Sequence, residues 1–88
     1  MMRIFTTPRF EKRLKIFINS HPDLLKIAQK RMKEIAHNPF SLNLKTHKLS
    51  GYLKNCFASK ITYEHRIIFI VNDDELCFID IGSHNEVY

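Results

Sequence analysis

Six side chains that can move a proton or place a positive charge lie in the second half of the chain: His47, Lys60, Glu64, Arg66, His84 and Tyr88. Histidine titrates near neutrality, so it serves as a general base or a general acid. Arginine and lysine match the negative charge that develops on phosphoryl oxygens. An aromatic ring stacks on a splayed nucleobase. Together these types suit cleavage of RNA by internal transfer. A base takes the proton of a ribose 2′-hydroxyl, and that oxygen attacks the adjacent phosphorus. Cations stabilise the added negative charge, and an acid protonates the leaving 5′-oxygen. The scheme needs no metal and no cofactor. Each residue alone also has a plainer reading. An exposed histidine beside lysines is solvated, His65 is a core histidine, and Lys60 with Glu64 is a weak surface ion pair.

Other chemistries lack their residues. The five histidines form no HxxxH pair and no carboxylates stand at ligand spacing, so no metal site is expected. No serine has the glycine flanks of a nucleophile elbow, and Gly51 and Gly82 cannot build a phosphate-cradling loop. Cys56 and Cys77 belong to no CxxC motif and are expected as reduced thiols rather than a redox pair.

At 88 residues the chain is expected to be one domain, 1–88. Its longest apolar run, Ile67 to Val71, is far too short for a bilayer span, and no leader is read near Arg3. A cytoplasmic location is expected. The net charge of +5 is unevenly distributed. Of the 14 Lys and Arg residues only Arg66 lies beyond residue 60, whereas of the nine acids only Glu11, Asp23 and Glu34 precede it. A basic first part suits an anionic partner, nucleic acid or acidic protein, as well as a plain solvated helix face.

The elements that must position these groups read as β-α-α-β-β-β. Residues 2–6 give a short strand. Thr7-Pro8 is a cap followed by a first-turn proline, and Phe10, Leu14 and Phe17 recur at helical spacing. Asn19-Ser20-His21 breaks the helix. A second begins at Pro22-Asp23, carries the stripe Leu25, Ala28, Met32, Ile35, and stops at Asn38-Pro39. Residues 40–50 form a basic connection. Strands are expected over Cys56–Tyr63, His65–Val71 and Leu76–Ile81, with a turn at Asn72-Asp73-Asp74 and Gly82 releasing the tail. Short connections imply antiparallel pairing. The class is α+β, a helical hairpin on one face of a small, mainly antiparallel sheet. The other face is expected to be open or bound to something. In this meander Lys60 to Arg66 lie near one rim. Whether His84 reaches that rim depends on strand lengths the sequence leaves open.

The segments KTHKLSG, ITYEHRIIFIVNDDEL and IGSHNEVY resemble the RelE/ParE superfamily of bacterial toxin–antitoxin systems, and within it the YafQ and YoeB branches of mRNA interferases. The resemblance runs through nearly the whole chain. It implies a RelE-like fold and an endoribonuclease that cuts mRNA codons in the ribosomal A site by 2′-hydroxyl attack. It implies as partners a cognate antitoxin, mRNA on the ribosome and ribosomal RNA, with no metal and no membrane. His47 falls on the loop histidine of the YafQ-like branch, Glu64 on its acidic position, His84 on its C-terminal histidine and Tyr88 on a terminal aromatic. Lys60 stands where that branch has histidine. Glu64 and Arg66 match the EHR segment of the YoeB branch, whose loop glutamate is replaced by Asn43. The resemblance implies His84 as acid, Arg66, Lys60 and His47 around the phosphate, and Glu64 or His47 as base. Tyr88 would stack or help protonate. Lys45, Lys48, Lys54 and His65 are expected RNA contacts. Two further readings stay open on this fold: a ParE-like inhibitor of DNA gyrase, and a catalytically weakened toxin that mainly binds its antitoxin.

Overall fold

The computed structural model describes residues 2–49 and 55–87. Strand β1 (Arg3–Thr6) is followed by helix α1 (Pro8–Ser20), a 3₁₀ turn (Pro22–Leu24), helix α2 (Leu25–His37) and a second 3₁₀ turn (Leu42–Leu44). Then come β2 (His47–Lys48), β3 (Cys56–Lys60), β4 (His65–Asn72), β5 (Glu75–Ser83) and a single helical turn, α3 (His84–Val87).

Local chemistry sets the helix ends. The Thr7 hydroxyl accepts from the Phe10 amide at 3.0 Å, with Pro8 in the first turn. Such a cap is worth about 1 kcal/mol. The second helix starts later than the Pro22-Asp23 signal suggests. Pro22 opens a tighter turn instead, closed by the Leu24 amide on the His21 carbonyl at 2.9 Å, and α-geometry begins at Leu25. Both helices lay their apolar stripes on the sheet. Phe10 and Phe17 of α1 and Ala28 and Ile35 of α2 are buried against Ile67, Phe69, Leu76, Phe78 and Ile81, and the Phe10 and Phe78 rings stack at 5.3 Å.

The sheet order is β1-β5-β4-β3-β2, with β1 parallel to β5 and the other pairs antiparallel. The expected β-α-α-β-β-β order therefore holds, with the two-residue β2 and the terminal turn α3 added. Strand β3 ends at Lys60, not Tyr63, because Ile61–Glu64 form the turn into β4. Strand β5 does not end before Gly82; it runs through Ser83.

A β-bulge decides which residues of β5 face which way. Ile68 pairs with Asp80 and Phe69 with Phe78, so Ile79 is the extra residue. Leu76 and Phe78 lie in the helix-side core before it, and Ile81 lies there after it, so the alternation changes parity. Asp80, nearly buried, meets Arg13 of α1 at 2.9 Å and Arg9 at 3.4 Å, tying that helix to the strand. Among the described residues, the second sheet face carries a smaller apolar cluster. Buried Cys56, Ala58 and Ile68 pack there with Leu49, Ile79 and Val87, the last from α3.

Candidate active site

The turn between β3 and β4 is the base of the site. Ile61 is buried and anchors it, and its amide donates to the His65 carbonyl at 3.0 Å. The Thr62 hydroxyl oxygen accepts from the amides of Glu64 (3.3 Å) and His65 (3.2 Å). With both acceptor sites engaged, its proton is left for His65 Nδ1, 2.8 Å away. On the other side, Arg66 Nη1 donates to the carbonyls of Thr62 (2.9 Å), Tyr63 (3.1 Å) and His65 (3.1 Å). Among the described residues, its guanidinium is paired with carbonyls rather than with a carboxylate. The charge thus stays available, and the planar group is held in one orientation.

Alternation along the strands sorts the candidates. Ile67 and Phe69 face the helices, so Arg66 faces the other side. Lys60 is its cross-strand partner, and Gly82 is its partner on β5. Facing pairs stand about 5 Å apart at Cβ. The two cations are therefore neighbours, and on the other side of Arg66 the strand partner is a buried glycine that carries no side chain. His47 pairs with Ala58, two residues along β3 from Lys60 on the same face. The loop before it is fixed by three bonds: Asn43 to Glu34 (2.8 Å), Thr46 to the Pro39 carbonyl (2.6 Å), and buried Ser59 to the Leu44 carbonyl (2.9 Å).

The tail completes the rim. Ser83 pairs with His65, and the His84 amide donates to the Glu64 carbonyl at 3.1 Å. This settles the strand-length question: β4 and β5 bring His84 to the Glu64–Arg66 turn. A hollow of about 410 Å³ is lined by Tyr63, Glu64, Arg66, Ser83, His84 and Asn85. It brings together a carboxylate, a guanidinium and an imidazole, the set that proton transfer beside a phosphate requires.

Not every predicted residue joins it. His65 sits on the helix side, buried, its ring 5.1 Å from Phe17 and 4.7 Å from His21. It cannot face the same way as its neighbour Arg66, so the expected RNA contact is replaced by the core-histidine reading. Lys48 pairs with Phe57 and so points to the face opposite His47. Lys45, in a left-handed conformation at φ 50°, ends the second 3₁₀ turn just before His47. The Lys60 ammonium lies over the Tyr63 ring, 5.4 Å from its centroid; the ion pairs among the described residues do not include Lys60–Glu64. Lys54 and Tyr88 lie outside the described residues. Sequence reading missed Tyr63, Ser83 and Asn85. Tyr63 was placed at the end of a strand, where an aromatic is ordinary. Its only signal was the polar Thr62 and Glu64 on either side.

Among the described residues, no three His, Cys, Asp or Glu side chains gather as a metal-ion site. No helix among the described residues is long and apolar enough to cross a membrane.

Comparison with known proteins gives the architecture its context. YafQ from E. coli BL21(DE3) superimposes with a TM-score of 0.86 at 20% identity, covering 100% of this chain and 99% of that one. YafQ in the E. coli DinJ–YafQ toxin–antitoxin complex gives 0.78 at 21%, covering 100% and 99%. The YoeB dimer from Staphylococcus aureus gives 0.73 at 23%, covering 94% and 97%. These likenesses establish a shared RelE-like fold. No match was found among functionally curated proteins. Residues 5–85 match the family model described as the YoeB-like toxin of bacterial type II toxin–antitoxin systems. The match spans all but the ends of the chain, and the protein belongs to that family of toxins.

Proposed function

We propose that this toxin is a ribosome-dependent endoribonuclease that cuts mRNA codons in the A site by metal-independent 2′-hydroxyl attack. The observation that carries this reading is the pairing of Lys60 with Arg66 at the rim where the His84 amide meets the Glu64 carbonyl. Two cations sit beside one acid–base pair, and the guanidinium is pre-oriented by the turn. His84 is the general acid that protonates the leaving 5′-oxygen. Glu64, which shares the hollow with His84, is the base that takes the 2′-hydroxyl proton. Arg66 and Lys60 receive the charge on the phosphoryl oxygens, and His47, one strand further out, binds the neighbouring phosphate. Tyr88 would extend the site from the tail. Lys45, Lys48 and Lys54 contact ribosomal RNA, whose phosphates dominate such binding.

The family supports a cognate antitoxin as a second partner, since YafQ is found in complex with DinJ. The net charge of +5 suits an acidic, partly disordered antitoxin segment laid over the basic helices and loop. The toxin then acts in the cytoplasm, as a single domain, wherever translating ribosomes expose the codon.

The test is primer extension on an mRNA in a reconstituted translation reaction, with wild type and His84→Ala in parallel. Cuts within A-site codons from the wild type are expected. The substitution lowers their rate by about 10²- to 10⁴-fold, the usual loss of one proton-transfer group. Unchanged cutting by a folded His84→Ala protein removes His84 from the mechanism. No cutting by the wild type overturns the nuclease reading, and DNA supercoiling by gyrase becomes the next assay.

A further inference from the structure

We infer that Tyr63 is the platform on which an RNA base stacks beside the scissile phosphate. The inference rests on the RNA-cleaving reading and goes beyond it, because it assigns the base-binding element to the turn rather than to the tail. Tyr63 is 84% exposed, at the mouth of the hollow that Glu64, Arg66 and His84 line. The other exposed aromatics among the described residues are less free. Phe40 is 52% exposed and rests edge-on against Phe57 at 5.0 Å, and Phe5 is 46% exposed.

The Tyr63 ring does not hold the turn. Buried Ile61, the Thr62 hydroxyl and the Arg66 guanidinium already do that. Arg66 does, however, hold Tyr63, through the 3.1 Å bond from Nη1 to the Tyr63 carbonyl. The phosphate-binding cation and the ring are thereby mechanically linked. The Lys60 ammonium, 5.4 Å from the ring centroid, attends one side of it. A ring with a cation on one side keeps the other for a base. A nucleotide needs both, a flat surface for its base and a cation for its phosphate, and single-stranded RNA is bound by that combination.

The sequence contains no tryptophan, so Tyr63→Trp places a unique fluorophore at the proposed contact. Two measurements then separate the outcomes. In the translation assay, Tyr63→Ala is expected to raise KM by roughly 5- to 150-fold, the range for one lost base stack, with kcat nearly held. Tyr63→Phe and Tyr63→Trp retain wild-type values. In the second measurement, Tyr63→Trp in a His84→Ala background is titrated with a single-stranded RNA dodecamer. Saturable quenching of the introduced indole is expected. Wild-type KM and kcat for Tyr63→Ala overturn the inference, and loss of antitoxin neutralisation by that variant reassigns the ring to protein contact. If the wild type cuts nothing but the indole is quenched, the stack stands and the nuclease reading falls. If it cuts nothing and no quenching appears, both fall.

Discussion

The two ends of the open sheet face are built by the same central strands, yet they differ in how their charge is balanced. Each has a hollow of modest size, about 410 Å³ at the β3–β4 turn and about 280 Å³ at the β4–β5 turn. Shape hardly separates them. Chemistry does. Among the described residues, the first end presents Arg66, Lys60 and His84 around one carboxylate, Glu64. The second is lined by Phe5, Ile70, Asn72, Glu75 and Cys77, and its acids Asp74 and Glu75 are already paired with Arg3, at 3.7 and 2.6 Å. Burial also pushes the Cys77 thiol up, which keeps it protonated and unreactive. An anionic substrate is therefore attracted to one end only, and the lesson is that charge left uncompensated, rather than concavity, marks the site.

The harshest test of this contrast removes the guanidinium. Arg66→Ala is expected to lower kcat for cleavage by about 10²- to 10³-fold, as loss of one preorganised charge donor does. Arg66→Lys should recover little. An ammonium is a single flexible point charge and cannot bind the turn carbonyls through one nitrogen while keeping the rest of a planar fork pointed at a phosphate. Cleavage by Arg66→Ala at the wild-type rate would break the comparison, because the charged end would then be no more important than the neutralised one.

A milder change sharpens it by touching space instead of charge. Gly82 of β5 is buried and pairs with Arg66, so a methyl group there crowds the guanidinium. Gly82→Ala should cost up to about 100-fold in kcat/KM if it displaces the phosphate by 1 Å. Any loss of stability should be modest, since alanine restricts the unfolded chain more than glycine does and this offsets crowding at the buried position. Thermal melting beside the cleavage assay distinguishes a blocked site from a damaged strand. Full activity would mean that the substrate does not approach β5.

How much of this was legible beforehand depended on the kind of constraint. The caps at Thr7 and Asn38 are local, and the sequence displays them directly. The helix-side core of β4 was legible too, because Ile67, Phe69 and Val71 alternate without interruption. The parity of that run already separates His65 from Arg66, and giving both to RNA ignored it. The bulge at Ile79 was not legible. LCFIDIG reads as one strand in which every second residue shares a face, and only pairing with β4 reveals the extra residue. That residue sends Ile81 to the core and Gly82 to the site. A strand without it would reverse the two. The meeting of His84 with Glu64 rests on the same non-local fact.

The smallest expected effect concerns an acid that belongs to neither end. Glu34 sits on α2 and accepts from Arg31 at 2.7 Å and from Asn43 of the loop at 2.8 Å. The Arg31 bond first, and the Asn43 bond second, hold its carboxyl below the ordinary carboxylate value of 4.5. The folded state therefore favours the ionised form, and the stability gained is present above the unfolded value and lost as pH falls through the lowered folded one. Glu34→Gln should be slightly less stable than wild type in urea at pH 7, with the gap closing as the buffer is taken well below pH 4.5. Because Asn43 leads through Leu44 to His47, the variant should also weaken cleavage, but by less than Gly82→Ala. A gap that persists unchanged in acid would mean that Glu34 supports the loop by shape alone.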